Sequence, residues 1–281
     1  MDKNKRSLSR GILIAIAASF LLLMLVLPLV SVLANALKKG VSFYLSAVSS
    51  RYAVSALRVT VIATVASLII NTLFGIMAAW LLTMYTFRGR HVLASLIDIP
   101  FSISPVIAGL AFIMTFGRTG WAAPAVSWLN AHLGTDIKLV FSIPGVILAT
   151  VFVTFPFVSR ELVPVLNAQG HDEEEAAALM GAGGLRIFRR ITLPRMRWAL
   201  LYGVILCTAR SMGEFGAVNA LSKTRGVTFT LPLEIDALYM SGSADAIVRA
   251  FAVSSILVIL SVLLLVLRTA VEHTANRKER R

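Results

Sequence analysis

Apolar residues in this chain run in long blocks and do not alternate with polar ones. Six blocks reach the about 20 residues that a helix needs to cross a hydrocarbon layer about 30 Å thick: 11–33, 59–82, 92–116, 139–158, 198–218 and 247–267. None carries the two-residue alternation of a barrel strand, so each predicts a membrane helix. The blocks take up nearly half of the 281 residues and leave no stretch long enough for a separate soluble domain. The expected fold is all-α and integral to the membrane. It divides into a short N-terminal segment (1–10), a six-helix transmembrane domain (11–267) with a long loop at 159–197, and a basic tail (268–281).

The first block follows Lys3, Lys5, Arg6 and Arg10 and precedes Ala34-Asn35-Ala36, which is the outline of a signal peptide. Its apolar run is longer than the about 7–15 residues of a signal-peptide core, so an uncleaved span is expected.

Composition sharpens this picture. The chain is 57% hydrophobic and 15% charged, with a mean hydropathy of +0.82, whereas a soluble domain carries about 25% charge. Neither an ordinary soluble protein nor a disordered one fits. The net charge of +13 matters through its distribution. Counting alternate inter-block segments from the N-terminus, 17 of the 27 lysines and arginines fall on one side and 7 on the other, while Arg58, Arg210 and Arg249 lie at or within spans. Basic residues are retained on the cytoplasmic face, so both termini are expected there. The tail Arg277-Lys278-Glu279-Arg280-Arg281 follows a span directly and suits lipid headgroups better than nucleic acid. Cys207 is the only cysteine, and His91, His132, His171 and His273 are far apart, so neither a disulfide nor a metal site is expected. No G-x-x-x-x-G-K-[ST] occurs, so no bound nucleotide or other cofactor is expected on this chain. No nucleophile, base and acid gather as in an enzyme.

The long loop reads as a helix pair. Asp172 and Glu175 have capping-box spacing, Glu173, Glu174 and Glu175 crowd the positive end of the helix dipole, and Ala176 to Met180 are good helix formers. Gly181, Gly183 and Gly184 supply a stop and turn. A second short helix then sets Leu185, Phe188 and Ile191 three apart on one side until Pro194 ends it. Such an amphipathic piece can lie among headgroups or dock on a protein.

Within this loop Glu175-Ala176-Ala177, Gly181, Ile191 and Leu193-Pro194 reproduce at every fixed position the E-A-A-x3-G-x9-I-x-L-P motif of permease subunits of binding-protein-dependent ABC importers. Asp98-Ile-Pro100-Phe101, Ser104-Pro105-Val106, Ala108-Gly109-Leu110, Pro156-Phe157-Val158, Arg160-Glu161-Leu162 and the run 209–217 extend the likeness. Through them the chain resembles the sulfate/thiosulfate permease group, CysW-type subunits above all, with much of the third and fifth blocks shared by molybdate and tungstate permeases.

This resemblance implies a type I importer transmembrane domain of the MetI-like class in a bacterial cytoplasmic membrane. It also implies a homologous second permease (CysT-type), two ATPase subunits (CysA-type) that use ATP and magnesium, and an external sulfate/thiosulfate-binding protein. Glu175 and Ala176 would then face the ATPase, and Gly181 would make the turn. The external stretch 121–136 and Lys223-Thr224-Arg225 would face the binding protein, although Trp121 and Trp128 serve equally as interfacial anchors.

Charges inside spans are costly and face protein or water. Arg210 and Glu214, four apart, form either a structural ion pair or part of the anion pathway. Around Pro100, Ser102, Ser104 and Pro105 the third block should break, for packing or to free donors for an oxyanion. A stand-alone carrier would instead use Asp98 and Glu214 for protons.

Overall fold

The computed structural model describes residues 3–279, and every regular element among them is helical. The side chains of the predicted cationic clusters at 1–10 and 277–281 lie outside the described residues.

The chain opens with α1 (Lys3–Leu21) and α2 (Leu27–Leu37), joined without a bend through the wide π turn Leu22–Val26. After α3 (Val41–Val48), Ser50 accepts the Ala53 N–H at 3.3 Å and starts α4 (Arg51–Met84). Its 34 residues make a rod about 51 Å long, with the expected span 59–82 inside it. The third block becomes α5 (Arg90–Ser102) and α6 (Pro105–Phe116), set at 107° to each other. The helix runs through Pro100, and the break comes at Ile103-Ser104, where the following proline disfavours helical backbone. Next, α7 (Ala123–Leu133) leads to α8 (Ile143–Thr154) and α9 (Pro156–Gln169), one apolar rod of 27 residues. Then follow α10 (Asp172–Leu179), α11 (Gly184–Ile187), α12 (Leu193–Met212), α13 (Gly216–Leu221), α14 (Leu231–Met240) and the terminal α15 (Ala244–Glu279).

Four helical rods among the described residues are long and apolar enough to cross a membrane: Gly11–Ala36, Arg51–Met84, Ile143–Gln169 and Ala244–His273. The bent pair α5–α6 makes a fifth if taken as one broken span. The block at 198–218 falls instead on α12 and α13, divided at Gly213-Glu214-Phe215, and α12 carries Arg195, Arg197 and Arg210. Its 20 residues still extend about 30 Å.

At the centre, α4, α9 and α12 pack around Ala79, Val158, Leu162, Leu166, Met196 and Cys207. Small residues allow the approach: a Cβ on Gly75 would lie 2.8 Å from the Val158 Cβ, and one on Gly203 3.2 Å from the Val158 Cα. A polar seam crosses the same contact, with Asn71 donating to Thr154 Oγ1 at 2.7 Å and the Ser67 hydroxyl donating to Ser211 at 3.2 Å. These bonds satisfy groups that lipid could not; the first ties α4 to α8, and the second fixes how α12 is rotated against α4.

Two expectations for the long loop are corrected. Its first residues are not loop, because α9 continues to Gln169; Leu162 and Leu166 are buried against α4 and α12, and that packing carries the helix past the apolar block. Pro194 does not end the second helix either. The backbone widens into a π turn at Phe188–Thr192, where the Leu193 N–H reaches the Phe188 carbonyl, and runs straight on into α12 with Pro194 in its first turn. The wider turn takes up the donor that proline lacks and relieves its clash with the preceding turn.

Candidate coupling helix and translocation site

The motif-bearing element is built on α10. Its first turn holds Asp172, Glu173, Glu174 and Glu175 at the positive end of the dipole. Asp172 does not cap it: the N-cap is His171, without a side-chain bond, and its carbonyl accepts the Glu175 N–H at 2.9 Å. The far end closes as a Schellman motif. The Ala182 N–H donates to Ala177 O at 3.0 Å and the Gly181 N–H to Ala178 O at 2.9 Å, with Gly181 at φ +82°. This left-handed position is the turn expected of Gly181.

What holds α10 in place is Glu174, expected only as one of the carboxylates at the helix dipole. It is buried, its Oε2 lies 3.0 Å from Arg195 Nη1, and its Oε1 accepts the Thr192 hydroxyl at 3.2 Å. The same guanidinium donates through Nη2 to the Gln169 carbonyl at 2.7 Å, and Gln169 Nε2 returns a bond to the Arg195 carbonyl at 3.2 Å. The end of α9, the start of α10 and the first turn of α12 are thus tied at one point. The three-residue spacing of Glu174 and buried Ala177 was the available signal for this inward face.

The motif residues divide by direction. Ala177 is buried, while Ile191 and Leu193 are half-buried, Leu193 against the central cluster. Glu175, Ala176, Gly181 and Pro194 are exposed. Around the glycine turn Leu179, Met180 and Leu185 are 91%, 82% and 74% exposed, an apolar knob with Arg186, Arg189 and Arg190 on one flank. Leu185, Phe188 and Ile191 do not share the single face expected of them, because the π turn shifts the register. Phe188 turns inward to the Trp80 ring at 5.4 Å, whereas Leu185 stays in the open.

The second candidate region lies where two helix breaks touch. A Cβ on Gly109 would stand 2.7 Å from the Ala217 carbonyl and 2.8 Å from the Ala220 Cβ, and one on Gly216 3.0 Å from the Pro105 Cβ. The break before α6 therefore lies against the break before α13. Arg210 and Glu214 form an ion pair of 2.6 Å there. Glu214 is buried and also accepts the Ala217 N–H at 2.9 Å, while the Arg210 side chain keeps 33% exposure. Ser104 precedes α6, exposed and without a side-chain capping bond. Glu214 anchors the pair to α13, and Arg210 retains an open side.

Asp98 is engaged as well. It pairs with Arg160 of α9 at 2.9 Å, and that guanidinium lies over the Phe101 ring at 4.4 Å. Both carboxylates assigned to a proton carrier are thus held by arginines. On the opposite face, Arg225 makes a bidentate pair with buried Glu234 at 2.8 and 2.6 Å and covers Tyr52. The hydrogen-bonded carboxylate holds the Arg225 guanidinium above its ordinary range. Arg225 thus ties the loop down. Trp121 and Trp128 are exposed.

The family described as "Binding-protein-dependent transport system inner membrane component" matches residues 71–278. The sulfate transport system permease protein CysW of Synechocystis sp. is 44% identical over 263 residues, 93% of this chain and 92% of that protein. The sulfate transport system permease protein CysT of Salmonella typhimurium is 33% identical over 248 residues, 86% of this chain and 87% of that one. A chain of a bacterial alginate ABC transporter, solved in complex with an alginate pentasaccharide-bound periplasmic protein, superposes with a TM-score of 0.77 over 97% of this chain and 96% of that one, at 19% identity.

Proposed function

The chain belongs to the family of binding-protein-dependent transport system inner membrane components, and from that premise we propose that it is a permease subunit of an ATP-driven importer of sulfate and thiosulfate. The observation that carries this reading is the 44% identity to a sulfate permease along nearly the whole of both chains. In this reading α12 with α13 makes a sixth crossing beside the four apolar rods and the bent pair, packed against α4, α9 and α15, and both termini face the cytoplasm.

The division of labour follows from the geometry. The apolar knob of Leu179, Met180 and Leu185 seats in a groove of a partner ATPase, with Glu175 and Ala176 on the docking side. ATP and magnesium bind that partner. Because Glu174 and Arg195 tie α10 to α9 and α12, displacement of the knob moves two membrane helices as one body. Arg210 and Ser104 line the path of the anion, and Glu214 holds Arg210 in place. A homologous second permease completes the path, and an external binding protein delivers the anion. The reading is supported by the family's description, by the CysT relative, and by the alginate transporter crystallised with its periplasmic protein.

The energetic test is uptake by cells expressing this chain with its ATPase partner. Uptake that fails when that ATPase is inactivated and persists when the proton gradient is collapsed supports the reading. Uptake that follows the gradient and ignores the ATPase overturns it.

A further inference from the structure

Between α4, α5 and Phe155 lies a groove of about 510 Å³, lined by Phe74, Met77, Trp80, Tyr85, Leu93 and Phe155 among others and almost without polar atoms. From Phe74 to Tyr85 it follows α4 for about 16 Å, at about 1.5 Å per residue. Trp80 and Tyr85 meet edge to face at its end, their centroids 5.8 Å apart, as amphipathic rings do at headgroup level.

Immediately beyond this aromatic end the chain carries Arg88 and Arg90. Arg90 begins α5 three residues before Leu93, so the two share a helix face about 4.5 Å apart along the axis. Arg88 is exposed and Arg90 half-exposed, and neither guanidinium has an ion-pair partner among the described residues. The carboxylate further along α5, Asp98, is already taken by Arg160.

An apolar floor with two unpaired guanidiniums on the residues that follow its aromatic end matches one chemistry, an acyl chain that ends in a phosphodiester headgroup of net negative charge. We propose that this groove is a specific site for one anionic phospholipid, its chain lying along α4 and its phosphate held by Arg88 and Arg90. An oxyanion substrate has no place on such a floor, and a zwitterionic lipid brings its own cation beside the phosphate, which weakens the attraction to two guanidiniums. The Trp80 ring that closes the groove also touches Phe188, so the bound chain adjoins the segment leading from the coupling helix to α12.

The test is native mass spectrometry of the complex purified through this chain, exchanged into phosphatidylglycerol or into phosphatidylcholine with the same acyl chains. Retention of phosphatidylglycerol about tenfold above phosphatidylcholine is expected. The surface double variant Arg88→Gln/Arg90→Gln should reduce it to the phosphatidylcholine level with the complex intact, and Ala78→Trp, which fills the groove, should reduce retention of both. Equal retention of the two lipids, or a double variant indistinguishable from the parent, overturns the proposal. So does an Ala78→Trp variant that releases a protein subunit while keeping its lipid, since the groove would then seat a protein helix.

Discussion

Glu174 and Arg195 meet across 3.0 Å, one on α10 and the other in the first turn of α12, and this pair ties the short motif-bearing helix to the long helices beside it. Coupling by rigid-body motion requires such a connection, because a helix free to pivot would absorb the partner's movement.

Replacing Glu174 by alanine leaves the Arg195 guanidinium with the Gln169 carbonyl and the longer 3.7 Å ion pair to exposed Glu173, and should cost on the order of 2 kcal/mol locally. The chain is expected to stay in the membrane, while co-purification of the ATPase falls about tenfold or more and glutamine at the same position restores part of it. Pull-down through this chain reads the outcome.

Gly181 stands at φ +82° with open space where a Cβ would point, so only backbone strain opposes substitution. Valine there should cost about 1–2 kcal/mol and weaken ATPase association strongly, whereas asparagine, which tolerates left-handed backbone, should behave close to the parent. Equal behaviour of the two variants in a binding assay would show that the conformation of the turn does not matter.

The junction of the two broken helices has no spare volume at Gly109. Leucine at this position must push the Ala217 carbonyl and Ala220 aside, with an overpacking cost of about 1–3 kcal/mol. Thermal unfolding of the purified complex should shift downward, and uptake should fall further than membrane abundance.

Arg210 separates a structural pair from a pathway residue. With Arg210→Gln, the account expects abundance and binding-protein-stimulated ATP hydrolysis near the parent and uptake lost. A parallel loss of all three would assign the pair to stability alone, because buried Glu214 would then lack its cation.

Four of the six apolar blocks located rods and a fifth the bent pair, since a span needs only length and hydropathy, while the block at 198–218 is divided between α12 and α13; the glycine turn was legible because the left-handed position at Gly181 calls for the residue found there. The length of α9 was not, because the residues beyond 158 are held helical by contacts of Leu162 and Leu166 with α4 and α12, which are remote in sequence. Pro194 misled for a related reason. A proline stops an isolated helix, but here the π turn before it takes up the missing bond, and tertiary packing of Phe188 and Leu193 keeps the chain on course. The motif placed Glu175 and Gly181, yet Glu174 could not be singled out among four consecutive acidic positions. Its partner, Arg195, lies 21 residues away across the turn.

The most direct test of the central claim is uptake of labelled sulfate by cells lacking and then regaining this chain, with its partners present and with excess thiosulfate or excess molybdate as competitor. The account predicts restored uptake that thiosulfate blocks and molybdate does not. Failure to restore uptake, or restored uptake blocked by molybdate alone, would contradict it.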